Sequence, residues 1–446
     1  MPNQFTASLW GDEAFSAFLS TKSIPEIISI ISRDTSPPLY NLTEHLAFRL
    51  FGTSEIVIRG LSFFYFLIAI FFVYKIGRYF WNKKTGLLAA TLTFLNPFFF
   101  TYAFEGRMYS ILAAAVTASM YFFITRRWIG YVLATTAALY SHHFALFAVF
   151  IQGLWFVKEL LFPEKRRKGK RKLALSIFKS FVAVGILYLP WLMPLYNQTK
   201  MVGGGFWLGT PTIKDLFGLL GKYLAVGIPN KLAIPALVLI LLALGIKRWG
   251  ETKEKNIFLL SWFFGPILLV WLVSQKFQSI FFDRYLLYSI PGAMLLLSSN
   301  ARKFSYILIA AAVVLFSLVD FNYFTHPTKR PFKEMAAYVL EEKRGDDFLI
   351  NWNSAAHHLW ESKYYLIPAP IYIPGEGELP YYVGTALMTK DDIIRKLPEK
   401  VSRFGVITSG NIAEINLPGY TKERDRVFGS LKFVWFTPTP KAGGKK

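Results

Sequence analysis

The chain has 446 residues, 53% hydrophobic and 17% aromatic, with a mean hydropathy of +0.36 and a formal net charge of +22. Soluble domains rarely combine such values, and runs such as "IAIFFVY", "ALVLILLALGI" and "ILIAAAVVLFSLV" suit a hydrocarbon core about 30 Å thick. With no cysteine, disulfides, thiolate chemistry and cysteine-held metals are excluded, and the positive charge of a membrane protein points to orientation and anionic lipid rather than to nucleic acid.

The opening residues "MPNQFTASLW" lack the basic start and apolar segment of a cleavable signal peptide. "SLWGDEAFSAF" then sets Asp12 and Glu13 among Trp10, Phe15 and Phe18, with no basic residue nearby in sequence. A solvated loop would account for an acidic pair. In an apolar surround, however, a carboxylate gains basicity and can serve as a general base. "SIPE" at Ser23 has the pattern of a capping box, with isoleucines following. In "RDTSPPLY" the Pro-Pro pair stiffens an extended segment that can hold Asp34. Leu39, Leu42, Leu46 and Leu50 then fall at helical spacing, with Gly52 as a stop. Residues 1–57 therefore read as an outer acidic loop with two amphipathic surface helices. Asn41-Leu42-Thr43 and Asn197-Gln198-Thr199 fit the N-glycosylation pattern, which is frequent by chance.

Residues 58–323 read as a transmembrane bundle of about ten spans: 58–80, 86–104, 109–125, 128–141, 144–161, 173–195, 231–247, 256–274, 284–300 and 303–323. The fourth and fifth could form one helix broken at "SHH", but two are favoured. Alternate loops differ sharply in charge. "NKK", "RR", "KELLFPEKRRKGKRK", "KRWGETKEK" and "ARK" carry most of the basic residues, and the intervening loops carry few. The positive-inside rule makes the basic set cytoplasmic, so the N-terminal segment and the C-terminal domain are extracytoplasmic in this multi-pass cell-membrane protein.

Polar groups gather at the outer helix ends, where they need a reason. "FEGRMY" holds Glu105, Arg107 and Tyr109. The two charges can pair with each other, or Arg107 can present its donors to a phosphate. "YSHHF" holds His142 and His143, which cannot both face one way on a helix, so one is structural. "QKFQSIFFDRYLLYSIP" holds Lys276, Asp283, Arg284 and Tyr285 where a span re-enters, a position that suits an anionic lipid head group if Asp283 and Arg284 do not simply pair. Carboxylates with Arg and Lys above aromatic-rich helices suit a lipid-linked phosphate.

From about residue 324 the composition changes, and 324–440 reads as a small extracytoplasmic α/β domain. "FKEMAAYVLEEKRGDDFLINW" is a helix, a turn and a strand; "DDIIRKLPEKVSRFGVITSG" repeats that order; and "SLKFVWFTP" is a further strand. Residues 441–446 form a tail.

"LWGDEA", "DTSPPLYNL", "LFGTSEIVIRGLS", "GLLAATLTFLNPFFFTYAFEGRMYSIL", "YSHHFALF" and "FDRYLLYSIP" follow one another across residues 8–292. In that order they resemble the GT-C membrane glycosyltransferases, on the branch of the protein O-mannosyltransferases and the aminoarabinose transferase of lipid A. The resemblance implies transfer of a sugar from a polyprenyl-phosphate carrier to an acceptor hydroxyl on the outer face, with inversion. It implies Asp12 as general base, Glu13 as second acid and Asp34 as the acid before the Pro-Pro pair. Arg107 and Arg284 would hold the phosphate, and His142 matches a His that relatives often carry; the outer-end motifs themselves add Lys276 and Tyr285 at the phosphate and Glu105 and Tyr109 at the substrate. The acceptor is a lipid, glycan or protein, and a divalent metal ion stays open as a cofactor. Two departures stand out. Ser36 replaces a His that many relatives carry before the Pro-Pro pair. Relatives also have a membrane helix before the acidic motif, so upstream coding sequence is expected to supply one. The rival readings are a transporter or flippase of lipid-linked sugars and a non-catalytic GT-C-like binder. No internal repeat is visible, and the charged motifs cluster at outer ends rather than at mid-membrane depth.

Overall fold

The computed structural model describes residues 3–161, 170–225, 252–299, 303–352, 356–375, 377–399 and 401–440. The chain divides into two compact units. One, mainly helical, comprises Thr35–Tyr40 and Arg59–Thr325; the other, mixed, comprises Met1–Asp34, Asn41–Ile58 and His326–Lys446.

In the helical unit the apolar runs form helices. Among the described residues three helices are long and apolar enough to cross a membrane: Glu55–Phe80, Leu173–Gly203 and Lys253–Lys276. Lys83–Phe94 and Pro97–Phe104, bent by 60°, would make a fourth if taken as one span. Asn96 causes the break, since its side chain accepts from the Phe99 amide and Pro97 opens the second helix. The span expected at 284–300 is also divided, into a 3-10 stretch Asp283–Ser289 and a short helix Ile290–Ser298. The "SHH" junction does separate two helices, Trp128–Ser141 and Ala145–Leu161. The span expected at 231–247 lies outside the described residues.

Tyr109–Thr125 is the buried core of this unit, with Tyr109 through Tyr121 all covered. A polar network crosses it. The Gln152 amide donates to Ser119 Oγ at 2.9 Å, Ser119 and Thr135 share a hydrogen bond of 2.7 Å, and Tyr131 donates to Gln152 Oε1 at 3.1 Å. Close crossing of Glu55–Phe80 and Lys83–Phe94 requires glycine, because a Cβ on Gly86 would stand 2.7 Å from the Tyr74 carbonyl oxygen.

The mixed unit starts with three helices: α1 (Gly11–Ser20), α2 (Ile24–Ile31) and α3 (Leu39–Phe51), the last reaching back into Thr35–Tyr40. The acidic stretch is thus a helix, not a loop. Its carboxylates occupy the first turn of α1, where they complement the helix dipole. At Ser23, Glu26 accepts from the Ser23 amide at 3.0 Å and from its hydroxyl at 2.5 Å. Gly52 ends α3 with a φ of +85°. Asn41, in the first glycosylation pattern, is buried and donates to Ser20 Oγ at 3.1 Å.

The C-terminal part holds a six-stranded sheet in the order β3-β2-β1-β4-β6-β5. The strands are β1 (Asp347–Asn351), β2 (Ile371–Tyr372), β3 (Ile393–Ile394), β4 (Arg403–Thr408), β5 (Tyr420–Phe428) and β6 (Leu431–Pro438). The first four run parallel, and the β5–β6 hairpin pairs antiparallel with β4. Period-two alternation buries both faces: Leu349, Ile407, Phe433 and Trp435 on one side, and Ile350, Val406, Val434 and Phe436 on the other. Phe332–Glu342 supplies Phe332, Met335 and Val339 to the first side. Arg403 bonds both oxygens of Asp347, at 3.1 and 2.6 Å, with its guanidinium 3.7 Å from the Trp435 ring centre.

Two sequence expectations fail in this sheet. "DDIIRKLPEK" gives only a 3-10 turn, Lys390–Asp392, and the short β3 instead of a helix; Pro398 disfavours helical backbone just before it. β5 carries no strand pattern in the sequence, because Lys422, Glu423, Arg424, Asp425 and Arg426 look like loop residues. They are the charges of a solvent-facing edge strand.

Candidate active site

The predicted site residues fall into two groups, one in each unit.

In the mixed unit α1 positions the acidic pair. Asp12 is half-buried. Glu13 is fully buried, ion-paired to Lys329 Nζ at 2.8 Å and accepting from the Trp10 amide at 3.3 Å. The helix Ala356–Tyr364 packs against α1 through Trp360, whose ring lies 5.3 Å from Phe15 and 6.2 Å from Phe18. Gly384, at φ +88°, fits close to the same rings, since a Cβ there would stand 2.8 Å from Phe15. The aromatic residues of the acidic stretch thus pack on the C-terminal domain. Asp34 is buried at the end of α2, its amide donating to the Ile31 carbonyl at 3.1 Å.

Sequence reasoning missed several polar partners here. Arg330 Nη1 donates to His358 Nε2 at 2.9 Å, and both lie near a third carboxyl, Glu361. Glu361 is 1% exposed, and its Oε2 has no hydrogen-bond partner. Burial raises its pKa well above the usual carboxylate value. Arg330 opposes that shift, while the charges of Glu13 and Asp12 add to it. No motif surrounds Glu361; its signal in the sequence is an acid inside the aromatic-rich "HHLWESKYY".

In the helical unit the cationic motifs converge. The Arg284 guanidinium lies 5.4 Å from the Tyr109 ring centre and 4.9 Å from that of Phe282. Tyr109 is near-parallel to Tyr285 at 6.3 Å, and Tyr285 is 4.9 Å from the His142 ring. His142 Nδ1 accepts from the Phe144 amide at 3.1 Å, which leaves Nε2 to carry the proton of the neutral ring. Burial, then His143, Arg107 and Arg284, hold its pKa well below the usual histidine value. Arg107 thus shares the site electrostatically. Its loop is set by its own amide, which donates to the Glu105 carbonyl at 2.7 Å, and by Ser62 Oγ, which donates to the same oxygen at 2.6 Å.

His143 is the structural member of the pair. Its Nε2 meets Gln198 Oε1 at 2.7 Å, and Gln198 Nε2 donates to the Ser36 carbonyl at 3.3 Å, tying the Pro-Pro segment to the helix junction. Burial pushes the His143 pKa down to about 4. Asp283 is engaged by Lys222 Nζ at 2.7 Å, and its carbonyl accepts from the Tyr223 hydroxyl at 2.5 Å. Sequence reasoning singled out neither Lys222 nor Tyr223. Lys276 sits exposed at the end of Lys253–Lys276, and no described contact joins it to Arg284 or Tyr285.

Among the described residues no group of three or more His, Asp or Glu side chains is placed to hold a metal ion. A guanidinium lying between a tyrosine and a phenylalanine ring, with a second arginine nearby, makes a weakly hydrated anion site suited to a phosphate ester.

Residues 35–193 match the dolichyl-phosphate-mannose-protein mannosyltransferase family. A search of curated proteins finds no match to the sequence. Among solved structures, the chain is similar to ArnT from Cupriavidus metallidurans in the apo state, with a TM-score of 0.64 at 13% identity, over 99% of this chain and 96% of that one. It is likewise similar to the same protein bound to undecaprenyl phosphate, with a TM-score of 0.63 at 13% identity and the same coverage. By a family match over its early helices and a shared fold over nearly its whole length, the chain resembles the GT-C glycosyltransferases, of protein O-mannosyltransferase and aminoarabinose transferase type.

Proposed function

We propose that this protein is an integral-membrane glycosyltransferase that moves a sugar from a polyprenyl-phosphate carrier to an acceptor hydroxyl on the extracytoplasmic face, with inversion. The observation that carries this reading is the set of Arg284, Arg107, Tyr109, Tyr285 and His142 gathered in the helical unit, in a chain whose fold matches one solved with undecaprenyl phosphate. The acceptor oxygen attacks the anomeric carbon as the bond from that carbon to the phosphate oxygen breaks. The hydroxyl proton passes to the Asp12 carboxylate, and the guanidinium groups hold the charge that returns to the phosphate. Glu13, fixed by Lys329, orients the acidic turn. Asp34 is the further acid of the catalytic set, and Glu105, Tyr109 and His142 contact substrate. Lys276, exposed and apart, is left out of the site.

One observation favours the transporter reading. Asp320, in the apolar helix Lys303–Thr325, is buried, and neither of its carboxylate oxygens has a hydrogen-bond partner. It lies only five residues from the helix end, about 8 Å along the axis, and so away from the mid-membrane depth where transport sites are built. The deciding experiment incubates the reconstituted protein with polyprenyl-phosphate sugars and acceptor-bearing membranes. Transfer with inverted anomeric configuration is expected. Movement of the lipid-linked sugar across the bilayer without transfer would support the transporter instead.

A further inference from the structure

The loop 204–212, "GGFWLGTPT", was not assigned a role by any motif. It is firmly held. Gln275 Nε2 donates to the Pro211 carbonyl at 2.6 Å, and Trp271 Nε1 donates to the Thr212 carbonyl at 3.2 Å. Gln278 Nε2 donates to the carbonyls of Phe206 and Leu208 at 3.3 and 3.2 Å. Gly205, at φ +139°, makes the turn that a side chain would resist. Yet this pinned loop leaves Trp207 48% exposed. The indole stands edge-on to Phe282 at 5.0 Å and 82°, and Phe282 in turn meets the Tyr285 ring at 5.3 Å and the Arg284 guanidinium at 4.9 Å. A fixed aromatic surface therefore stands one ring away from the cation that meets the phosphate.

We propose that Trp207 is the sugar-stacking residue of the donor site: the apolar C–H face of the sugar lies on the indole while the phosphate joined to its anomeric oxygen is held at Arg284. The chemistry fits. A glycosyl phosphate carries its ring one oxygen away from the phosphorus, and a pyranose or furanose presents C–H groups on a face, which a large amphipathic ring covers well. Stacking on a rigid platform also restricts rotation about the phosphate link and so presents one side of the anomeric carbon to the acceptor. The inference rests on the transferase reading above and adds the group that recognises the sugar.

The test compares binding of bare polyprenyl phosphate with binding of polyprenyl-phosphate mannose, glucose and aminoarabinose, in wild type, Trp207→Ala and Trp207→Phe. The expected result is that Trp207→Ala weakens the preferred sugar-bearing lipid by about tenfold, that bare polyprenyl phosphate stays within about twofold, and that Trp207→Phe recovers most of the loss. Unchanged binding of bare lipid also shows that the variant is folded. If wild type transfers sugar while Trp207→Ala weakens both lipids equally, or neither, as a simple membrane-interface tryptophan would, the stacking role is overturned and the transferase reading stands. If wild type binds bare lipid phosphate but neither prefers nor transfers any sugar of the panel, both the transferase reading and the subsite fall.

Discussion

The acidic site of the mixed unit and the cationic site of the helical unit are built by opposite means. Around Asp12 the framework is ionic and distant in sequence: Glu13 with Lys329, Arg330 with His358, and Glu361 buried among them. Around Arg284 the framework is aromatic, with a histidine kept neutral and polarity supplied by short backbone contacts. The difference follows from the jobs proposed for them. The proposed base is presented from the first turn of a helix whose start is held by the Glu13–Lys329 pair. The cation proposed to receive a lipid phosphate lies against tyrosine and phenylalanine rings, whose faces favour a guanidinium.

Ways to break this comparison follow in order of size. Asp12→Asn removes the proposed base and lowers the transfer rate by about a thousandfold; single-turnover assays with saturating donor measure it, and wild-type rates would remove Asp12 from the chemistry. Arg284→Gln lowers transfer by about a hundredfold, with the loss chiefly in donor affinity. Lys329→Met takes a countercharge from buried Glu13 and costs about 3 kcal/mol of stability, most of it restored by adding Glu13→Gln. Denaturation followed in detergent checks the pair, and additive losses would mean that the two do not act together.

Glu361 gives a pH signature. Its folded carboxyl is held well above the ordinary value of 4.5, so the stability it contributes is complete below that value and is lost as pH rises through the raised one. Glu361→Gln should match wild type in melting temperature near about pH 4 and exceed it increasingly toward about pH 8. A constant difference across that range would show that the carboxyl does not titrate in this way. The smallest effect belongs to His143, whose pKa is lowered to about 4. Its contribution is present above the ordinary histidine value and fades as pH falls toward about 4, so His143→Ala should flatten that acid limb and cost about 1 kcal/mol at neutral pH through the lost Gln198 bond.

The cationic site was largely legible in the sequence because its residues sit in short motifs at helix ends, where charge beside aromatic residues is conspicuous. Arg107, Tyr109, His142, Arg284 and Tyr285 were all named from such stretches, and four of them stand within ring contact of one another or of a shared neighbour. Lys276 follows from the same grounds but is exposed at its helix end, with no described contact to the others. The acidic site was legible only in its local half. Lys329, Arg330, His358 and Glu361 come from the far end of the chain and carry no motif, so only tertiary packing brings them to α1. In the fold, helix existence followed from hydrophobic runs, but hydropathy does not register the break at Asn96–Pro97 or the 3-10 stretch before Ile290. The charged β5 was invisible because edge strands hide their pattern by design against aggregation.

The measurement that tests the division of labour most directly is equilibrium binding of bare polyprenyl phosphate to reconstituted wild type, Asp12→Asn and Arg284→Gln, beside their transfer rates. The prediction is a double dissociation: Asp12→Asn binds the lipid phosphate as wild type does while transferring almost nothing, and Arg284→Gln loses binding by about a hundredfold. Equal weakening in both variants, or binding untouched in Arg284→Gln, would contradict the assignment of base and phosphate site to these two regions.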